Sequence, residues 1–309
     1  MGTFLNATNS VLPLFLIIIL GIVLTRLKVT NRQWIEILNK YALWIGFPAL
    51  VIYSLMHLKL SGSSYSNLIL INSAYIVFCI LLAYPIAKIA GFNNQMKQTL
   101  FLILCFGNVA YLGIPVLQNT LGESILPVAA IISAVYVFWL FTLAIILVEI
   151  HNPQKSNIPK LLLNLLKNPL LISVFIGLAI VFFQVKIPIP VEKTIKLFSD
   201  SVTAVVLFSL GIFLGLQEIG KIKEWGQVFF FVILTMIILP ATLYLLIKLF
   251  NFEDSNFCAT ILDSAMPLGL TSYVLSVQYN LRVKFVARMI VLATLLSMVI
   301  IPLWLVVLK

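Results

Sequence analysis

Apolar runs of membrane-spanning length recur along the whole chain, separated by short polar segments. A window of about 19 residues on a hydropathy scale locates such runs. The ten runs that it locates cover residues 10–26, 38–56, 67–90, 97–119, 125–149, 168–184, 194–216, 226–249, 256–279 and 286–308. Because a helix of about 20 apolar residues crosses a bilayer, the pattern predicts ten transmembrane helices and an all-α membrane protein.

Two of these runs, the fourth and the ninth, are interrupted by polar and helix-breaking residues. The first break reads CFGNVAYLGIP from Cys105 to Pro115, and the second reads DSAMPLGLTSY from Asp263 to Tyr273. Lipid cannot satisfy free backbone N–H and C=O groups, so a broken helix at membrane depth survives only where it lines a protein cavity. Paired breaks in two halves of a chain indicate the substrate site of a secondary transporter.

The two halves of the chain resemble each other at an offset of 160–161 residues. Matches at this offset pair Lys88 with Lys248, Phe47 with Phe208 and Thr99 with Thr260. The two breaks are also aligned at this offset. The longest polar stretch separates the first five runs from the last five. The pattern predicts two five-helix repeats, residues 1–150 and 168–309, joined by a cytoplasmic linker at residues 151–167.

Basic residues are divided unequally between the two predicted sides of the membrane. Of the 20 lysine and arginine residues, 14 fall on one side and six on the other. The richer side is cytoplasmic by the positive-inside rule, so both termini are expected outside. An odd number of spans per repeat then inverts the second repeat relative to the first. The net charge of +10 belongs to these short loops, and it does not indicate nucleic-acid binding.

One carboxylate differs from the others, most of which can be placed in loops or at the membrane edge. Asp263 is about eight residues into the ninth run and four residues before Pro267. A charged side chain at the centre of a membrane helix costs on the order of 2.5–3.5 kcal/mol on insertion scales, so such a residue is a functional candidate. We predict that Asp263 couples transport to a proton or a sodium ion. The alternative is that its side chain caps the broken helix.

The breaks also supply candidate substrate-binding residues. Asn108 can hydrogen-bond either a substrate or the unwound backbone. The half-helix N-termini at the breaks expose N–H groups and positive dipole ends, which attract carboxylates. The candidate substrate-binding residues are Gly107, Asn108, Tyr111, Gly113, Pro115, Ser264, Pro267, Thr271 and Ser272.

Motifs for catalysis or for a metal site are absent from the sequence. It contains no HExxH, GxSxG or P-loop motif and no paired intramembrane aspartates. Neither the cysteines (Cys79, Cys105 and Cys258) nor the histidines (His57 and His151) have metal-ligand spacing. We therefore expect no enzyme activity, and no cofactor other than a coupling proton or sodium ion.

Several of these segments resemble the auxin efflux carrier (AEC) family. The resemblance rests on Gly46-Phe47-Pro48-Ala49-Leu50 in the second run, on the break that ends at Pro115, and on Ala265-Met266-Pro267 followed by Gln278-Tyr279 in the ninth run. The closing segment from Leu292 to Pro302 also fits, so the resemblance covers essentially the whole chain. The family usually carries Asn before Pro-Ala in the second span, whereas this chain carries Phe47.

The resemblance implies a fold shared with bile-acid sodium symporters and sodium/proton antiporters. In that fold two inverted five-helix repeats place crossed broken helices 4 and 9 in a transport domain, and spans one, two, six and seven form a scaffold. Members carry organic anions, such as auxin or malonate- and malate-type dicarboxylates, by elevator-like alternating access. Asn108 matches the family's span-four asparagine, and Asp263 occupies a place that is often acidic in bacterial members. The short linker favours a compact carrier of a prokaryotic inner membrane.

Three functional hypotheses follow from the sequence. The leading one is a secondary transporter of a small organic anion. The second is an ion channel or a cation/proton antiporter on the same fold, with Asp263 as the ion site. The third is a membrane sensor, which the short loops disfavour. The expected partners are the organic anion and the lipid bilayer, without nucleic acid. The substrate, the coupling ion, the direction of transport and the oligomeric state, including a homodimer, stay open.

Overall fold

The computed structural model describes residues 2–56, 65–151, 167–217, 225–250 and 256–308. Within these ranges the chain is helical, and its extended pairing is a single bridge between Gly107 and Leu268. Most of the predicted linker and one of the histidines, His57, lie outside the described residues.

Twelve helices make up the described part of the chain. In chain order they are α1 (Gly2–Arg26), α2 (Arg32–Met56), α3 (Tyr65–Ile89), α4 (Asn94–Ile103), α5 (Ile114–Leu121), α6 (Glu123–Ile150), α7 (Pro169–Phe182), α8 (Ile189–Leu216), α9 (Trp225–Leu249), α10 (Phe257–Ser264), α11 (Leu270–Gln278) and α12 (Val283–Val307). Seven of the helices described are long and apolar enough to cross a membrane, namely α1, α2, α3, α6, α8, α9 and α12. The predicted all-α membrane architecture is confirmed at this level.

The remaining helices differ from simple spans in two ways. The fourth and ninth apolar runs are each split into two short helices, α4 with α5 and α10 with α11. The sixth run forms α7, which has 14 residues and ends earlier than the predicted limit at residue 184. Gln184 has a φ of 51°, and a residue in the left-handed region ends a helix because it cannot continue the right-handed turn.

Prolines account for several local distortions. Three π turns, Ala42–Gly46, Val109–Gly113 and Leu234–Ile238, each end two residues before a proline. A proline inside a helix removes one backbone donor and its ring displaces the carbonyl of the preceding turn. A wider π turn accommodates both effects without ending the helix. In the fourth run the same distortion adjoins a full break.

Several helix boundaries in the second half of the chain repeat those of the first. Both limits of α3, at residues 65 and 89, recur 160 positions later in α9. The end of α2 at Met56 recurs in the end of α8 at Leu216, again 160 positions later. Across the breaks the shift becomes 161, since α4 ends at Ile103 and α10 at Ser264.

Four helices, α1, α2, α7 and α8, form one group, which also contacts the rest of the protein through α1 on α12 and α2 on α6. Among the described helices, the most extensive contacts join α1 with α8, α7 with α2, and α8 with α2. Glycines allow the α1–α8 contact, because a Cβ at Gly211 would collide with the carbonyl of Ile18 and one at Gly215 would lie 2.8 Å from Thr25 Cβ. The second group contains α3 to α6 and α9 to α12, and it includes both broken runs.

Candidate functional site

The two breaks lie side by side and share backbone hydrogen bonds. The Asn108 N–H donates to the carbonyl of Pro267 at 2.6 Å, and the Gly269 N–H donates to the carbonyl of Phe106 at 3.2 Å. Between these bonds Gly107 faces Leu268 in an antiparallel bridge. The pairing satisfies backbone groups that the interrupted helices release, which is the requirement for unwound chain at membrane depth.

The two bonds are equivalent under the shift between the halves. Residue 108 plus 161 is residue 269, and residue 106 plus 161 is residue 267. The bond from Asn108 to Pro267 is therefore exchanged with the bond from Gly269 to Phe106 when each residue is replaced by its counterpart. Gly107 and Leu268, which form the bridge, are themselves 161 positions apart.

A cavity of about 470 Å³ lies beside the crossed breaks, and we name it the Lys40 cavity. Its walls are contributed by α2, the first break, α6, α7 and α11, as follows: Glu36, Asn39, Lys40, Leu43, Phe47, Phe106, Gly107, Asn108, Val109, Ala110, Tyr111, Val137, Asn168, Leu170, Leu270, Thr271 and Val274. The first turns after both breaks thus line the same cavity. Most of the wall is apolar, and the polar groups are few.

Four residues singled out from the sequence line this cavity, namely Gly107, Asn108, Tyr111 and Thr271. Asn108 is 3% exposed, and its side-chain Nδ2 has no hydrogen-bond partner among the described residues. Its backbone is fully used, because the carbonyl accepts from the N–H groups of Leu112 and Gly113 at 3.0 and 2.8 Å. The backbone is therefore satisfied without the side-chain amide, whose Nδ2 is buried and has no partner among the described residues. Tyr111 packs its ring edge-on against Phe47, with 5.1 Å between centroids.

Asp263 lies in the last turn of α10 and is completely buried. Neither carboxylate oxygen has a hydrogen-bond partner within the described part of the chain. The carboxylate faces Gly113, where an added Cβ would collide with Oδ1. The capping alternative is not realised in the described residues, since Gly269 is the N-cap of α11 and no N–H donates to Asp263.

The other candidate residues lie away from the Lys40 cavity. Ser264 donates to the carbonyl of Ile261 at 2.7 Å and lines a small internal void. Ser272 is buried and its hydroxyl has no partner among the described residues. Pro267 contributes its carbonyl to the crossing. Pro115 lines a second cavity on the other side of the breaks.

The second cavity, of about 240 Å³, is named the Lys196 cavity. Its walls come from α2, α5, α6 and α8, as follows: Leu50, Tyr53, Pro115, Gln118, Asn119, Glu123, Leu126, Lys196, Ser199, Asp200 and Thr203. The four residues from α8 lie 160 positions after four residues of α2 that line the Lys40 cavity, at 36, 39, 40 and 43. Equivalent helix faces therefore line the two cavities.

The sequence reasoning missed Lys40 and Lys196 as cavity residues. Both stand at the edge of an apolar run, where charged side chains ordinarily lie at the membrane surface. A helical pattern was present, because Glu36, Asn39, Lys40 and Leu43 follow the spacing of one helix face. Tyr136 and Thr294 were also missed; both are buried with hydroxyls that have no partner among the described residues.

Comparisons with known proteins agree with this architecture. A family described as "Membrane transport protein" matches residues 6–305. An uncharacterized transporter of Methanocaldococcus jannaschii is 25% identical over 96% of this chain and 97% of its own length. A Rhizobium meliloti protein provisionally named a malonate transporter is 24% identical over 94% and 92% of the two chains. The auxin efflux carrier component 6 of Arabidopsis thaliana is 27% identical over 43% of this chain and 24% of its own length.

The match extends over nearly the whole chain, across both breaks and both groups of helices. The Methanocaldococcus and Rhizobium relatives are named as transporters and not as enzymes. The chain is therefore an integral membrane transport protein that belongs to the auxin efflux carrier family.

Proposed function

We propose that this chain is a secondary active transporter of a small organic anion that carries a carboxylate. The observation that carries the proposal is the side-chain amide of Asn108, buried without a partner among the described residues, in the wall of a cavity beside the crossed breaks. Substrate sites of secondary transporters typically lie near the bilayer midplane at discontinuous helices, whose half-helix N-termini point at anionic groups. Lys40 adds a positive charge to the same cavity.

The proposed architecture is ten spans in two inverted five-helix repeats, with both termini outside the cell. The recurrence of helix limits at a shift of 160 supports the repeat. The exchange of the two crossing hydrogen bonds at a shift of 161 supports a two-fold relation between the halves, since both bonds then lie at its axis. The unequal division of basic residues supports the orientation.

Elevator-type alternating access is the proposed movement. In this scheme α1, α2, α7 and α8 form the scaffold, and the group with the breaks moves against it. Two cavities between these groups, one on each side of the crossing, support such a movement. Their equivalent helix faces provide one route to each membrane surface, as inverted repeats require.

The walls of the Lys40 cavity suit an anion with an apolar part. Its volume of about 470 Å³ is within the usual range of small-molecule sites, roughly 300–1,000 Å³. Phe47, Phe106 and Val274 offer apolar contact, while Lys40 and Asn108 can bind a carboxylate. Malonate and auxin, which appear in the names of two relatives, are both carboxylates.

Asp263 is proposed as the coupling group. A buried carboxylate that receives no hydrogen bond within the described residues needs either a proton or a cation to offset its charge. Its position next to Gly113, five residues from Asn108, would link that binding event to the substrate. The same feature favours the second candidate function, a cation/proton antiporter without an organic substrate.

The test is uptake of labelled malonate, malate and indole-3-acetate by proteoliposomes, with and without a proton or sodium gradient. Gradient-dependent uptake of one of these anions, lost in Asn108→Ala, is the expected result. Ion exchange that proceeds without any organic anion would replace the proposal with the antiporter. Anion binding without flux would point to a sensor.

A further inference from the structure

Each cavity contains an oppositely charged pair four residues apart on one helix, but the order of the charges is reversed. In the Lys40 cavity Glu36 precedes Lys40 on α2, and in the Lys196 cavity Lys196 precedes Asp200 on α8. Positions 36 and 40 correspond to 196 and 200 at the 160-residue shift. The same two places in the repeat therefore carry opposite signs.

A contact between α2 and α8 shows which member of each charged pair lies nearer the place where these two helices meet. The hydroxyls of Tyr41 and Ser201, which are 160 positions apart, lie 2.6 Å from each other. Lys40 directly precedes Tyr41, and Asp200 directly precedes Ser201. The other member of each pair lies four residues, or about 6 Å, farther out along its helix. An anion that moves along either cavity toward this place therefore approaches a cation, Lys40, in the Lys40 cavity and a carboxylate, Asp200, in the Lys196 cavity.

The surroundings of the two pairs increase this difference. Lys196 Nζ lies 3.3 Å from Asp200 Oδ1 and 5.1 Å from the ring centroid of Tyr53. Glu123 adds a second carboxylate to that cavity. Lys40 forms no ion pair with any of the described residues. The Lys40 cavity thus contains one cation and one carboxylate, whereas the Lys196 cavity contains one cation and two carboxylates.

We propose that the two cavities bind the transported anion with unequal affinity, tighter on the Lys40 side, and that the order of charge in these two pairs sets the difference. The inference rests on the proposed transport of an organic anion and assigns Lys40 and Asp200 as the residues that set the apparent affinity at each membrane face. The asymmetry leaves the equilibrium distribution of the anion unchanged. It changes the KM at each face.

The experiment compares KM at the two faces in right-side-out and inside-out membrane vesicles. The probe is whichever of malonate, malate and indole-3-acetate the wild-type protein transports. We expect a lower KM at the Lys40 face. Exchanging the charged pair on α8 (Lys196→Asp with Asp200→Lys) should lower KM at the Lys196 face relative to the Lys40 face. The expected change is about threefold to tenfold, which is the effect of one charge close to an anion in solvated surroundings.

A second exchange of charges should also alter KM, but it should raise the value at one face instead of lowering it. Glu36→Lys with Lys40→Glu should raise KM at the Lys40 face relative to the other face. The ratio of the two KM values in the wild type should also approach one as salt rises, because the Debye length falls from about 30 Å at 0.01 M to about 8 Å at 0.15 M. These two measurements remain informative if the first variant fails to fold.

The matched control is Lys248→Glu near the end of α9, a change of charge at a residue that lines neither cavity. It should leave the KM ratio unchanged. Anion transport with equal KM values at the two faces, or a ratio that neither exchange moves, overturns the inference and leaves the proposed function standing. Absence of uptake of every anion in the wild type overturns the proposed function instead, and this inference with it.

Discussion

The carboxylate of Asp263 occupies the space where a side chain at Gly113 would begin. An added Cβ at Gly113 would collide with Oδ1, although the two residues are 150 positions apart. Asp263 is completely buried, so the carboxylate has little room to withdraw. The absence of a side chain at Gly113 therefore leaves room for the Asp263 carboxyl group at this buried position.

Gly113→Ala should destabilise the protein by about 1–3 kcal/mol, because overpacking at a buried contact forces backbone or side-chain shifts. Thermal unfolding of the purified protein in detergent measures the loss. The control is Gly226→Ala in the first turns of α9, where no atom lies within 4 Å of the added Cβ. Equal unfolding temperatures for the two variants would show that Asp263 moves aside at no cost.

Asn108→Ala should weaken binding of the transported anion by about 1–3 kcal/mol, since a buried hydrogen bond to the ligand is lost. Titration of the anion against purified protein measures the affinity. Asn94→Ala is a suitable control, because the Asn94 amide donates to the His151 carbonyl at an exposed site away from the Lys40 cavity. An unchanged affinity in Asn108→Ala would remove the side chain from the substrate site.

Asp263→Asn should abolish the dependence of transport on the driving gradient, or abolish transport, while the protein stays folded. The amide keeps the shape of the carboxylate and removes its charge and its titration, so neither a proton nor a sodium ion is bound as before. Initial uptake rates at a series of pH values and sodium concentrations provide the measurement, with Glu192→Gln on the surface of α8 as the control. Wild-type ion dependence in Asp263→Asn would place coupling elsewhere.

The proposed orientation can be tested by cysteine labelling in intact cells. A cysteine in place of Thr3 should react with a membrane-impermeant maleimide added outside, and one at residue 155 should not. Cys79 and Cys105 are buried, whereas Cys258 is partly exposed, so Cys258→Ser provides a cleaner background. Labelling of the linker from outside would contradict the predicted orientation. In permeabilised cells both cysteines should react, and a cysteine that does not react there cannot report on orientation.

The sequence predicted the breaks well because their causes are local. Glycine and proline interrupt helices through their own backbone restrictions, and the effect does not depend on distant residues. The antiparallel pairing of Gly107 with Leu268 depends on the approach of two segments 161 positions apart. A common offset between the halves indicated that the breaks correspond, but not which atoms would bond.

The direction of individual side chains was harder to predict. The chain becomes helical again at Val109 and passes through a π turn into α5, so Tyr111 lines the Lys40 cavity while Pro115 lines the Lys196 cavity. Lys40 and Asp200 stood at the ends of apolar runs and were interpretable as interfacial charges. Their placement in cavities follows from the packing of α2 on α8 and on the group with the breaks, which a single sequence does not encode locally.

The crossing of the breaks is held by main-chain N–H and C=O groups, and this has a consequence for engineering. Side chains at the crossing contribute none of the atoms in these two hydrogen bonds, so both donors and both acceptors belong to the backbone. Phe106, Leu270 and Val274 face the Lys40 cavity from elements attached to that frame. The wall of the cavity can thus be altered at these three positions without removing an atom of either hydrogen bond.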